Sequence, residues 1–233
     1  MTTDDHRADE APDDVVEAPY AGRDVDARAL DDSMWDRARP VRLTRYWSGE
    51  EAPAGRHAEA RLVWSDEALA VRFVCRQAEP LVVSPDPQTA QKTFGLWERD
   101  VCELFVAPEG WEPERYLELE AAPTGEWLDL MIRQFPDERD TDWEFCSGMT
   151  AAARVAGETV TIAMRVPFRG LGRTPRAGDR WRANLFRCVG ADPARGYLAW
   201  RPTYTDEPYF HVPEAFGRIE FTTRGRGDAG TRR

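Results

Sequence analysis

The sequence predicts an all-β fold, an antiparallel β-sandwich of about ten strands forming a single domain between two tails. Three observations predict it. Short segments alternate apolar and polar residues with the period of two expected of half-buried strands. Loops bearing Pro and Gly separate these segments, and no amphipathic helical pattern runs beyond a few turns. The chain of 233 residues is also 42% hydrophobic, with nine Trp and ten Phe to fill a core.

Taken in order, residues 1–19 hold seven acidic residues and one Arg with few large apolar groups. Such a stretch buries too little surface to offset its ordering entropy and is expected to be disordered. The domain is expected over residues 20–222. Within it, residues 31–37 (DDSMWDR) suit a short helical turn capped by an acidic residue or Ser33, with Trp35 pinned to the body. Residues 60–64 and 69–75 flank Ser65-Asp66-Glu67-Ala68 and predict a hairpin. Residues 77–96 form a long irregular loop with Pro80, Pro85 and Pro87, of the kind that carries binding groups.

The centre of the chain is a run of three strands, 101–106, 115–121 and 127–133. On the middle one Tyr116, Glu118 and Glu120 share one face and Leu117, Leu119 and Ala121 the other. That pattern predicts one face in a core and one face wet, the wet face carrying carboxylates. Residues 134–148 are polar and Asp-rich, a surface loop. A second hairpin is expected from 149–155 and 159–166 around Ala156-Gly157-Glu158. After a turn-rich stretch, residues 181–189 alternate with Asn184, Phe186 and Cys188 on one face and Ala183, Leu185 and Arg187 on the other. Strands at 197–201 and 218–221 complete the set, and residues 223–233 read as a flexible Gly/Arg-rich tail. The Arg-Gly-Asp tripeptide at 226–228 is read as chance.

The net charge of −11 argues against nucleic acid and anionic membranes as partners, because both reward basic surfaces. No apolar run approaches the ~18 residues of a membrane-spanning helix. The acidic N-terminus lacks the pattern of a secretion signal, so a cytoplasmic location is expected. Cys75, Cys102, Cys146 and Cys188 form no C-x-x-C, and the first, second and fourth lie in apolar runs as buried free thiols. No nucleophile elbow, P-loop or dinucleotide fingerprint occurs.

Trp97 follows the Pro-containing loop and precedes charged residues, so its ring is either a ligand platform or a plug under that loop. Glu103 interrupts the apolar VCELFV and needs water or a partner, for which Arg187 is a candidate. Glu118 and Glu120 read first as a solvated sheet face. Trp200 reads as core. Phe210 and His211 lie in a Tyr/Pro-containing loop that either exposes them or is anchored by Phe210 and Phe216.

Five pieces in order carry a resemblance: LWERDVCELFVAP (96–108), YLELEAAPTGEWLD (116–129), WRANLFR (181–187), YLAWRPT (197–203) and YFHVPEAFGRIEF (209–221). The segments DVDARALDDSMWDRA and ARLVWSDEALAVRFVC fit more loosely. Together they resemble the family 9 carbohydrate-binding modules and their DOMON-like relatives, over about residues 20–222. The resemblance implies a β-sandwich that binds a mono- or oligosaccharide at one face and has no catalysis of its own.

It also implies a sugar ring held between two aromatic side chains with polar groups on its hydroxyls. By motif position Trp97 matches the first aromatic and Phe210 the second. Glu103 matches a polar contact, Glu120 stands where an Arg can serve, and Asn184 remains of a polar wall in which Phe186 and Cys188 replace amides. Some such modules bind structural calcium, for which no loop is found here; no other cofactor is expected. Stacking of pyranose C–H faces on an aromatic ring is worth roughly 1–3 kcal/mol by analogy with base stacking.

Two other functions stay open on the sequence. A glycoside-active enzyme would use paired carboxylates, and Glu118 and Glu120 lie about 7 Å apart on one strand, inside the range such chemistry uses. A haem-binding relative would use His and Met axial ligands, drawn from His6, His57 and His211.

Overall fold

Fourteen strands run through residues 14–223, the part of the chain described by the structure, a computed structural model. They form two antiparallel sheets packed face to face, with one parallel pair at an edge. The five-stranded sheet has the order β10 (Thr150–Ala156), β11 (Thr159–Pro167), β5 (Ala68–Arg76), β4 (Ala58–Trp64) and β2 (Val41–Leu43). The nine-stranded sheet has the main path β1 (Val15–Pro19), β14 (Gly217–Thr222), β12 (Arg180–Val189), β6 (Val101–Ala107), β7 (Arg115–Ala121), β8 (Trp127–Gln134) and β9 (Arg139–Asp142). Off that path β13 (Gly196–Ala199) pairs with β12 and with the short β3 (Arg45–Tyr46).

The alternation read in the sequence sets which side chains meet between the sheets. Cys102, Leu104 and Val106 of β6, Leu117 and Leu119 of β7, and Leu185 of β12 face Leu69, Val71 and Phe73 of β5 and Val160, Ile162 and Met164 of β11 in one apolar cluster. Each such side chain, fully buried, contributes about 1.5–3 kcal/mol relative to exposure. Trp181 and Phe221 close one end, their ring centroids 4.8 Å apart in an edge-to-face arrangement. Cys75, Cys102 and Cys188 are buried free thiols, and the Cys75 and Cys102 sulfurs lie 3.5 Å apart across the two sheets.

A second layer covers the back of the smaller sheet. The turn Ser33–Arg37 is a 3-10 helix whose cap is Asp32, which accepts the Met34 N–H at 2.9 Å. Trp35 is fully buried there and donates its indole N–H to the Ala29 carbonyl at 2.9 Å, packing with Val63, Ala70 and Ala163.

Several expectations are corrected. Residues 15–19, placed in a disordered tail by their acidic surroundings, form β1, which pairs parallel to β14 from Val15 opposite Arg218 to Pro19 opposite Thr222. The expectations for 1–13 and 224–233 lie outside the described residues. The 134–148 loop contains β9, a polar strand that extends the sheet by pairing with β8. Arg187 is not the mate of Glu103: it points to the other side of β12 and donates to the carbonyls of Arg56 at 2.6 Å and Arg76 at 2.8 Å and to the Gln77 side chain at 2.6 Å.

The largest correction concerns the face expected to be wet. Glu103, Glu118 and Glu120 are all buried. Loops lay a second apolar cluster over that side of the larger sheet, in which Phe105, Tyr116, Leu128, Leu130 and Phe186 meet Leu96 and Phe210, with Phe216 against them. The sheet therefore has apolar packing on both faces.

Candidate functional site

A cavity of about 700 Å³ opens on the outer face of the larger sheet. Its floor is β6, β7, β8 and β12, supplying Glu103, Phe105, Glu118, Leu130, Ile132 and Cys188. Three groups of residues wall it: Trp97 and Glu98 with Trp143, then Asp192, Arg195 and Tyr197, then the stretch from Pro208 to His211. Arg139 and Thr141 of β9 complete the lining.

Trp97 sits in a one-turn 3-10 helix, Leu96–Glu98, entered through Gly95 at φ 75°, a left-handed conformation that glycine adopts without strain. Leu96 is buried in the outer apolar cluster and anchors the turn, which leaves the Trp97 ring 36% exposed. The Trp97 ring lies 6.2 Å from Trp143, and Trp143 lies 5.8 Å from Phe94, so three exposed aromatic side chains adjoin at the rim. Arg195 holds this turn, donating to the Trp97 carbonyl at 2.8 Å and to the Gly190 carbonyl at 3.0 Å while lying over the Tyr197 ring.

The other wall is built by stacking. Phe210 is 8% exposed and lies flat on Phe186, with centroids 4.0 Å apart and planes 11° from parallel. Next to it His211 Nδ1 lies 2.8 Å from the Tyr116 hydroxyl. His211 keeps part of its ring exposed, yet its surroundings strip away enough water to push its pKa down to about 3, with the Arg139 charge acting in the same direction. The imidazole is therefore neutral at ordinary pH. Tyr209 hydrogen-bonds Gln134 Oε1 at 2.9 Å and ties the 208–211 stretch to β8.

Beneath the cavity the strand register gathers three carboxyls. Glu103 of β6 stands opposite Glu120 of β7, and Glu118 is two residues along β7 on the same face, opposite Phe105. Burial, and then the neighbouring Glu118 charge, pushes Glu103 up to about 8. Burial also raises Glu118. Glu120 is raised well above the usual carboxylate range by burial and then by the charges of Glu103 and Glu118. Neither Glu120 oxygen has a partner that meets the geometry of a hydrogen bond. Three carboxyls packed this closely titrate as one coupled unit.

Of the residues singled out in the sequence, Trp97, Glu103 and Phe210 line one cavity. Glu120 is fully buried and is not part of its lining. Asn184 is also fully buried and commits its amide to the backbone: Nδ2 donates to the Arg201 carbonyl at 2.8 Å, and Oδ1 accepts from the N–H groups of Leu185 at 2.9 Å and Arg201 at 3.0 Å. It braces the β12 strand and the chain after β13. Trp143, Tyr197, Tyr209 and Arg195 were not singled out. Trp143 had a signal, a large aromatic flanked by Asp142 and Glu144 in the stretch TDWEF.

A β-sandwich with an aromatic-walled cavity on the outer face of its larger sheet is the architecture of the carbohydrate-binding module class to which the family match assigns the chain. The chain belongs to the carbohydrate family 9 binding domain-like family, whose model matches residues 25–224. Three solved structures share its fold. A Bacteroides uniformis protein to which carbohydrate binding is provisionally assigned superposes with a TM-score of 0.70 at 18% identity, covering 89% of this chain and 98% of that one. A family 9 module from Caldicellulosiruptor kristjanssonii in complex with cellotriose does so with a TM-score of 0.61 at 15% identity, covering 94% and 99%. A family 9 module from the same organism in complex with glucose gives a TM-score of 0.61 at 16% identity, covering 94% and 100%. A search of the curated proteins finds no match.

Proposed function

We propose that this chain is a noncatalytic carbohydrate-binding module and that the cavity over β6, β7, β8 and β12 is its sugar site. The observation that carries this is Trp97, an indole left 36% exposed at the cavity wall beside the Glu103 and Glu118 carboxyls. A pyranose presents apolar C–H faces to such a ring and hydroxyls to the carboxyls below it. Phe210, seated on Phe186, closes the cavity from a second wall and supplies the other aromatic contact. Two family 9 module structures of the same fold, solved with cellotriose and with glucose, support the ligand class.

The protonation of the floor favours binding without catalysis. Hydrolysis of a glycoside by paired carboxylates needs one of them ionised as nucleophile or base. Burial raises Glu103, Glu118 and Glu120 alike, so the floor favours protonated carboxyls over the ionised partner that such chemistry needs. Protonated carboxyls can still donate to and accept from sugar hydroxyls.

Titration of the intrinsic Trp fluorescence with glucose and with cellotriose tests the proposal, and saturable binding of at least one is expected. Trp97→Ala is expected to weaken that binding by about 10- to 100-fold, the equivalent of one lost aromatic stacking contact. Unchanged affinity in Trp97→Ala would remove the site from this cavity. Release of a chromophore from aryl glycosides by the wild type would overturn the noncatalytic part.

A further inference from the structure

Resting on the carbohydrate reading, we infer that the cavity takes an amino sugar, a pyranose whose free ammonium group sits over the Glu103 and Glu118 carboxyls while its ring lies against Trp97. The cavity holds more acid than base, and no basic side chain among the described residues pairs with the carboxyls of its floor. Among the described residues none of Glu103, Glu118 and Glu120 takes part in an ion pair. Glu120 is fully buried directly beneath, with both carboxyl oxygens lacking a hydrogen-bond partner. The lining adds Glu98 and Asp192, against two basic side chains, Arg139 and Arg195. Arg195, committed to backbone carbonyls, and Arg139, exposed on the edge strand β9, act on Glu103 and Glu118 through their charges without pairing with them, which leaves four acids of the lining against two cations.

A neutral sugar would give these carboxyls hydroxyl partners and no charge. An ammonium draws the carboxyl it meets into its ionised form, that carboxyl's proton leaving to solvent, and makes charge-assisted hydrogen bonds, the stronger kind, while the faces of Trp97, Trp143, Tyr197 and Tyr209 attract a cation through their ring quadrupoles. A bare metal ion is not the fit, because no group of three His, Cys, Asp or Glu side chains among the described residues is arranged to hold one. The aromatic walls instead call for an organic cation with a flat apolar face.

The test is calorimetric titration of the full chain near pH 7 with glucosamine, glucose, N-acetylglucosamine and choline. Glucosamine is expected to bind at least roughly tenfold more tightly than glucose or N-acetylglucosamine, which is about one charge-assisted hydrogen bond. Glu118→Gln is expected to shrink the glucosamine-to-glucose ratio by a similar factor, and the isosteric Glu103→Gln serves equally should the first variant not fold. Glucose binding as tightly as glucosamine would overturn this inference and leave the carbohydrate reading standing. Choline binding with no response to any sugar, or no binding by any of the four, would overturn both.

Discussion

Raising the pH from about 6.5 to about 8 is expected to destabilise this protein by about 2–4 kcal/mol. The cause is the carboxyl cluster under the cavity. Glu103 titrates near 8 in the folded chain, and Glu118 and Glu120 are raised as well, against an ordinary glutamate value of 4.5. An acid whose folded pKa stands above its unfolded one binds more protons folded than unfolded, so stability falls as pH climbs from the lower value to the higher. Each retained proton costs about 1.4 kcal/mol per pH unit, and one to two of them across this window give the figure above.

His211 acts in the opposite sense. Its folded value is about 3 against an ordinary 6.5, so the unfolded chain binds the extra proton and stability rises with pH between those values. The two trends oppose each other below about pH 6.5, and above it the carboxyls alone decide. Urea unfolding at a series of pH values should show the decline above pH 6.5, and Glu120→Gln should flatten it. A stability that stays level or rises across that window in the wild type would show that the cluster is already ionised.

Lys92→Met is expected to cost about 3–5 kcal/mol, the usual penalty for leaving one member of a buried ion pair unpaired. Lys92 Nζ lies 2.8 Å from Oδ1 of Asp129, a fully buried carboxylate on β8, and donates to the carbonyls of Asp129 and Phe145. The other carboxylate oxygen accepts from the Ser147 N–H and hydroxyl, each at 2.6 Å. One lysine therefore ties the 77–95 loop, the stretch before β10 and β8 together. The first of those stretches leads into the turn that holds Trp97 and the second carries Trp143, so sugar affinity should fall alongside stability. Adding Asp129→Asn to Lys92→Met should restore part of the loss by removing the stranded charge. A melting temperature for Lys92→Met equal to that of the wild type would mean that water reaches Asp129 and takes the place of the amine.

The strands that alternate cleanly were legible. VCELFV, RYLELEA and WRANLFRCV each show the pleat directly, and their inner faces meet as the pattern requires. Two strands were not. VVEAP in β1 stands among acidic residues, and it is a strand because Val16 and Ala18 bury against the sandwich while its backbone pairs with β14. RDTD in β9 has no apolar alternation at all and is held by pairing with β8.

The site was legible in part. Trp97, Glu103 and Phe210 reach one cavity from three separate stretches, as motif order implied, whereas Glu120 and Asn184 sit below it. The burial of the carboxyls could not be read from β7, because Glu at alternate positions means a solvated face wherever nothing covers it. What covers it is the 208–216 stretch, about ninety residues away in sequence.

The amino-acid sequence alone determined the sandwich, the two faces of its central strands and the family to which it belongs, since alternation and ordered motifs are local properties of the chain. Only the tertiary structure decided which face is dry, which aromatic side chains share the cavity and how strongly the carboxyls hold their protons. Those depend on what distant loops bring to the sheet, and the free energy of a charged group depends on that company.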